Sequence, residues 1–195
     1  MNFLGAQKFI LDRLKKDLPE NLTYHGYRHT IDVYNMAIEI AEEEGITDEH
    51  ELLLLKTGAL FHDCGFLQTY KGHEEVSCNI AKENLPTFDY TPNEIDAICG
   101  LIHATRIPQS PKNKLEQILA DADLDYLGRD DFYKISNSLY LELRSISALK
   151  NEKDWNTIQV NFLETHRYFT NTCINKRKKE KQKRIIELKK LLEHD

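Results

Sequence analysis

The stretch Gly58-Ala59-Leu60-Phe61-His62-Asp63-Cys64-Gly65 decides how this chain is interpreted. It closes an apolar run that begins at Leu52-Leu53-Leu54-Leu55, and so apolar a run predicts a buried helix. A histidine and an aspartate then stand side by side, and imidazole nitrogen and carboxylate oxygen are ligands for divalent transition metals. Adjacent side chains on a helix diverge by about 100°, so both reach one ion only if the helix ends at this pair.

Further candidate ligands fall at or near predicted helix ends. His25 and His29 are four residues apart close to a helix start, where a regular helix would place them on one face. Asp123 competes with its neighbours Asp121 and Asp125, one of which could cap a turn instead. Helices packed with these ends together could bring the ligands to one pocket. The full set of candidates beyond the adjacent pair is His25, His29, His73, His103 and Asp123.

Hydrophobic periodicity is helical along nearly the whole chain, and no segment alternates convincingly with period two. The sequence Thr91-Pro92-Asn93-Glu94 combines a threonine cap, a proline at the first helical position and a glutamate that can reach back. Thr47 or Asp48 is expected to cap the helix that leads to the adjacent pair. Apolar residues from Trp155 to Phe169 mark a later helix. These patterns predict an all-α bundle of about seven to nine helices.

Length and composition favour one soluble domain. The chain has 195 residues, of which 41% are hydrophobic and 30% charged, as in ordinary globular proteins. No run of about 18 apolar residues exists, and the N-terminus lacks the features of a signal peptide. Four cysteines without metal-type spacing predict buried thiols in a reducing compartment. We therefore expect a cytoplasmic protein that does not bind membranes.

Charge is distributed unevenly along the chain. Residues 176–190 contain nine Lys or Arg and two Glu, a local charge of +7. Because the net charge of the chain is −6, the other residues sum to −13. This acidic remainder argues against general nucleic-acid binding. We interpret residues 176–195 as a basic C-terminal helical tail that follows a domain at 1–175. A thin apolar seam in the tail could support a homodimer and consists of Ile185, Leu188, Leu191 and Leu192.

Three blocks, in order, resemble the H…HD…D signature of the HD-domain phosphohydrolase superfamily. They are Tyr24-His25-Gly26-Tyr27-Arg28-His29-Thr30, then Ala59-Leu60-Phe61-His62-Asp63-Cys64-Gly65, then Ala120-Asp121-Ala122-Asp123-Leu124-Asp125. The resemblance extends over roughly residues 20–130 and implies the helical bundle of that superfamily. It further implies that one divalent metal is bound by His29, His62, Asp63 and Asp123.

The resemblance also suggests a second ion. Members with two metals add histidines between the HD pair and the last aspartate, where His73 and His103 stand. Asp63 would then bridge the ions. Mixed histidine and carboxylate ligands accept manganese, iron, cobalt, nickel or zinc, so one or two ions of any of these metals are expected.

The activity implied by the resemblance is hydrolysis of a phosphoester or phosphoanhydride in a small nucleotide-like substrate, by a metal-activated water that Asp63 orients. In the related cyclic-nucleotide phosphodiesterases, a Tyr-His-Asn-x-x-His block supplies a general acid. His25 has that position, although Gly26 replaces the asparagine. Arg106 and Lys71 are the best candidates to bind phosphate.

Three other interpretations remain open at this stage. The protein could bind metal and sense nucleotides without turnover. It could be a di-iron oxygenase on the same scaffold. It could also be a helical interaction domain that uses the basic tail, with histidines that have no joint role.

Overall fold

A computed structural model describes residues 1–149 and 151–194. Within these residues the regular structure is helical and there is no β-strand, which confirms the all-α prediction. Three short 3-10 segments, at Cys64–Leu67, Leu85–Phe88 and Asp125–Gly128, join helices. The described residues form nine α-helices: α1 (Phe3–Asp17), α2 (Tyr27–Glu43), α3 (Glu49–Phe61), α4 (His73–Asn84), α5 (Pro92–Ala104), α6 (Lys114–Asp123), α7 (Phe132–Ser145), α8 (Glu152–Thr165) and α9 (Asn171–His194).

Local capping signals set where several helices begin. The Thr91 hydroxyl accepts the Glu94 amide at 3.4 Å, and the Glu94 carboxylate accepts the Thr91 amide at 2.7 Å. This reciprocal pair satisfies two amides that a helix start would otherwise leave free. At α3 the cap is Asp48, whose carboxylate accepts the Glu51 amide at 2.8 Å. Of the two caps that the sequence left open there, the structure uses Asp48.

Helix α3 forms the centre of the bundle and packs against α1, α2, α5 and α6. Every residue from Thr57 to Phe66 is buried, as the apolar run predicts. Gly58 allows α5 to approach closely, since a Cβ there would lie 2.9 Å from Cδ1 of Leu101. Helix α2 packs along both α3 and α6. The start of α2 and the ends of α3 and α6 can therefore lie side by side.

The helical structure is interrupted between α8 and α9, where the periodicity predicts helix as far as Phe169. Helix α8 ends at Thr165, and His166 is extended. The buried carboxylate of Asp121 accepts the amides of Phe169 and Thr170 at 2.7–3.1 Å, and the Thr170 hydroxyl at 2.7 Å. These amides are thus bound by a distant side chain instead of by helix carbonyls, and the expected helix over this segment is wrong.

Helix α9 packs against α8 and against the 3-10 segment Asp125–Gly128. Ile185 and Leu188 are 5% and 1% exposed in an apolar cluster of this same chain, and Leu192 packs against that cluster. Most of the seam is therefore covered internally, Leu191 is 51% exposed, and the homodimer stays a prediction. The division into a domain at 1–175 and a tail at 176–195 stays a prediction, and Asp195 lies outside the described residues.

Many basic side chains of α9 have partners within the chain. Lys176 pairs with Glu39 and Glu43, and Lys189 with Glu164. Such surface pairs stabilise little, but they occupy charges that a partner would need. Among the described helices, none combines the length and apolarity that a membrane span requires. All four cysteines are buried and free, as expected.

Candidate metal centre

Three helix ends supply the central side chains. His29 lies in the first turn of α2, which begins after Gly26. His62 follows the last residue of α3, and Asp63 leaves the helix with φ −106° and ψ 5° before the 3-10 segment starts. Asp123 is the last residue of α6. The helix ends at the adjacent pair, so both of its side chains can face the same point.

The donor atoms of these four residues lie close together. His29 Nε2 is 3.4 Å from His62 Nε2 and 3.1 Å from Asp123 Oδ1. Asp63 Oδ2 is 3.4 Å from His29 Nε2 and 3.2 Å from His62 Nε2. Metal bonds of about 2.1 Å place neighbouring ligand atoms roughly 3 to 3.5 Å apart. The spacing of His29, His62 and Asp123 matches a shared ion, since every pair of their donor atoms is within 4.8 Å. Asp63 adjoins this group through its contacts with the two histidines.

Two further observations show that these residues fit a metal. The Nδ1 atom of His62 is 2.8 Å from the carbonyl oxygen of Ala59, which can only accept, so Nδ1 donates and Nε2 is left to coordinate. Asp63 Oδ2 is buried and no contact to it in the described residues has hydrogen-bond geometry, although Nε2 of His29 and of His62 lie within 3.4 Å. A buried carboxylate oxygen that accepts no hydrogen bond is costly, and a cation removes that cost.

Without a metal, the group is held together by charge. Burial alone would lower the pKa of His29, but the carboxylates of Asp123 and Asp63 raise that pKa to about 9. Burial would raise the pKa of Asp123, but His29 and His62 lower it to about 2. The metal-free site therefore pairs imidazolium with carboxylate, and a divalent cation would take the place of the protons.

His73 adjoins the group on the other side of Asp63. Its Nε2 is 3.3 Å from Asp63 Oδ1, the oxygen that does not face His29 and His62. The ring of Phe66 contacts two imidazoles, with its centroid 4.0 Å from that of His73 and 4.2 Å from that of His25. The start of α4 comes this close because residue 65 is glycine: a Cβ on Gly65 would lie 1.9 Å from the His73 carbonyl oxygen.

The structure places the other three predicted site residues away from the four central side chains. His103 Nε2 lies 3.2 Å from Glu75 Oε2 and 3.5 Å from Cys78 Sγ, so its ring nitrogen faces these groups instead of Asp63. Arg106 is half-exposed and lies 3.7 Å from Glu74 and 3.9 Å from Glu75. Lys71 is exposed in the turn before α4. Their roles as metal ligand and phosphate contacts stay predictions.

The three neighbouring aspartates have separate partners. Asp123 faces the histidines, whereas Asp121 binds the amides between α8 and α9. Asp125 forms an ion pair with Arg177 at 2.8 Å. The geometry thus places Asp123, and neither neighbour, beside His29 and His62.

Sequence reasoning missed Glu142, a fully buried residue of α7. Its Oε1 is 2.5 Å from His25 Nδ1 and accepts the Tyr70 hydroxyl at 3.0 Å. Burial would raise the pKa of Glu142, but hydrogen bonds from His25 and from the Tyr24 amide lower it. A signal was present: Glu142 stands three residues after Leu139, on the apolar stripe of α7, where a charged side chain needs a buried partner.

A cavity of about 300 Å³ opens beside the central group. One side is polar and includes His25, Asp63, His73 and Asp123. Another part of the lining is apolar and comes largely from α7 and α8. Its main side chains are Leu139, Leu143, Trp155, Ile158 and Phe162.

Comparison with known proteins agrees with this architecture. A crystal structure of a predicted HD superfamily hydrolase from an uncultured Thermotogales bacterium superimposes with a TM-score of 0.60. The alignment covers 96% of this chain and 89% of that one at 21% identity, so the likeness concerns the fold. No curated protein matches the chain. The sequence model of the HD domain matches residues 26–125, which include His29, His62, Asp63 and Asp123. The chain belongs to the HD domain family.

Proposed function

We propose that this protein is a metal-dependent phosphohydrolase that cleaves a phosphoester or phosphoanhydride bond in a small substrate. The observation that carries the proposal is the convergence of His29, His62, Asp63 and Asp123 beside a cavity large enough for a small molecule, which Asp63 and Asp123 line. Nucleotides are the substrate class that the family resemblance suggests.

These four side chains would hold one divalent ion. Once bound, the ion lowers the pKa of a water ligand and offsets negative charge on phosphoryl oxygens. His73 faces the second oxygen of Asp63 and would be a ligand for a second ion, which has fewer protein ligands and should bind more weakly. The donor set accepts manganese, iron, cobalt, nickel or zinc.

His25 has the position of a general acid. It lines the cavity beside Asp63, and its Nδ1 is occupied by Glu142, so Nε2 is the nitrogen available to substrate. In the proposed reaction the water oxygen bonds to phosphorus, and the bond from phosphorus to the leaving oxygen breaks. The leaving oxygen takes a proton from His25. The proton lost by the water passes to the solvent, and the solvent reprotonates His25. Asp63 orients the water.

The experiment is phosphate release from a panel of nucleotides, sugar phosphates and alkyl or aryl phosphates, with Mn²⁺ supplied. Wild type should release phosphate from at least one compound, and Asp63→Ala should not. His50→Gln is the matched control, because His50 is exposed and pairs only with Glu94 on the outside of the bundle.

Other outcomes would favour the rival functions. Stoichiometric metal binding with no phosphate release from any compound would favour a binding protein without turnover. Iron content with an oxygen-dependent product would favour oxygenase chemistry, since a hydrolase works equally well without oxygen.

A further inference from the structure

We propose that the substrate is an organic monophosphate whose carbon body is apolar, alkyl or aryl, and that this body occupies the cavity wall formed by α7 and α8. The inference rests on the proposed function and names its substrate class.

The wall consists of aliphatic and aromatic side chains. Leu139 and Leu143 come from α7, and Trp155, Ile158 and Phe162 from α8. The side chains at 155, 158 and 162 recur at helical spacing, so α8 turns an apolar stripe towards the cavity that only Gln159 interrupts among its described residues. Burial of carbon against such a stripe is the main source of affinity that it can offer.

Two polar side chains near this wall, Gln159 and Thr105, already have partners. Gln159 accepts the Ser136 hydroxyl with its amide oxygen and donates to Asn156 at 3.1 Å. The Thr105 hydroxyl donates to the Ile102 carbonyl at 2.8 Å. A nucleobase or a ribose would need free donors and acceptors here, and polar groups buried without them are costly. An apolar body has no such requirement.

Charge around the cavity favours one phosphate group. The residues that line it include the carboxylates of Asp63, Glu74 and Asp123, and the lining within residues 1–149 and 151–194 contains no Lys or Arg. Arg106 and Lys71 do not line the cavity. A polyphosphate usually needs cationic side chains besides a metal, as phosphate-binding sites show. The negative charge of a monophosphate can be offset by the ion and the neighbouring histidines.

The cavity mouth is apolar as well. Ile107, after α5, is 52% exposed, and Ile158, on α8, is 46% exposed, and both line the cavity. A ligand with an apolar body would cover these side chains on binding. A volume of about 300 Å³ is at the small end of ligand sites, which suits one ring or a short chain.

The test uses binding, so that it does not depend on turnover. Trp155 is the only tryptophan and lies in the wall, so its fluorescence reports a ligand there. The Mn²⁺-loaded protein is titrated with alkyl phosphonates from methyl to octyl and with adenosine 5′-monophosphate. We expect the Kd to fall about fourfold for each added methylene until the cavity is full. Octyl phosphonate should bind more tightly than the nucleotide.

A variant at the cavity mouth tests where the apolar body of the ligand binds. Ile158→Ser should weaken octyl phosphonate about tenfold and leave methyl phosphonate unchanged, because only the long chain reaches α8. Leu141→Ser is the matched control: Leu141 is 48% exposed on α7 and does not line the cavity. An equal effect of both variants would overturn the assignment.

The outcomes separate this inference from the proposed function. Chain-length dependence without phosphate release from any alkyl or aryl phosphate would support the apolar site and contradict the hydrolase. Phosphate release from nucleotides, together with affinities that do not change with chain length, would support the hydrolase and overturn the apolar body.

Discussion

Nδ1 of His25 lies 2.5 Å from Oε1 of Glu142, although 117 residues separate the two in sequence. The other oxygen of Glu142 accepts the amides of Tyr24 and His25 at 2.8 and 3.0 Å. The same carboxylate therefore holds both the ring and its backbone at the start of α2. Glu142 does not line the cavity, so we regard it as a positioning residue for His25.

Glu142→Gln should lower kcat about 100-fold on an alkyl phosphate and much less on p-nitrophenyl phosphate. The alkyl leaving group needs a proton from His25, whereas p-nitrophenolate does not. The measurement is steady-state kinetics on both substrates, with metal content determined in parallel and expected to be unchanged. Glu187→Gln, an exposed glutamate bound to Tyr133, is the control. Equal losses on both substrates would show that Glu142 only supports the fold.

Asp121→Asn and Asp123→Asn should have different effects. Asp121 accepts amides and a hydroxyl while fully buried, and an asparagine NH₂ group facing those donors should cost about 1–3 kcal/mol of unfolding free energy. The folded Asp121→Asn protein should keep its metal. Asp123→Asn should lose metal affinity with a smaller change in stability. Chemical unfolding and metal analysis of both variants check this, and metal loss in Asp121→Asn alone would contradict the assignment.

Gly65→Ala should destabilise the protein by about 3 kcal/mol or more, because the added methyl cannot coexist with the His73 carbonyl oxygen 1.9 Å away. Gly100→Ala is the matched control within α5. Its Cβ would meet only Glu116 Oε1, at 3.2 Å, and alanine is a better helix former by about 1 kcal/mol. Thermal unfolding should therefore separate the two variants, and similar Tm values would contradict the close approach of α4 to residue 65.

Local signals account for what the sequence predicted. The Thr91 cap and the apolar run into His62 act between near neighbours, so helix positions could be inferred from spacing. The metal-ligand candidates could be named because three blocks resemble the H…HD…D signature, whereas spacing alone left Asp123 open against Asp121 and Asp125. Glu142 and the break at 166–170 depend on partners far away in sequence, since Asp121 and His25 supply their hydrogen bonds. Periodicity shows which face of α7 is buried and does not show what it is buried against.

The metal-free protein should be most stable between about pH 4 and pH 6.5. His29 has a raised pKa, so its ion pairs contribute fully below its ordinary value of 6.5 and are lost as the pH rises through about 9. Asp123 has a lowered pKa, so its contribution is present above 3.8 and is lost as the pH falls towards about 2. Urea unfolding of the chelator-treated protein across this range is the measurement. His29→Gln should reduce the fall of the unfolding free energy on the alkaline side. If that fall is unchanged in the variant, His29 is not its cause.

Metal binding should release protons and strengthen as the pH rises. Near pH 7 the imidazole of His29 is protonated in the metal-free protein, because its pKa is about 9, whereas a ligand must be neutral. The pKa of His62 is also raised: burial would lower it, but Asp63 and Asp123 outweigh that effect. The apparent Kd for Mn²⁺ should therefore fall about tenfold per pH unit for each proton displaced, up to about pH 9. Calorimetry in two buffers of different ionisation enthalpy counts those protons. Binding without proton release would contradict the ion-paired metal-free site, and His50→Gln should leave the count unchanged because His50 lies outside it.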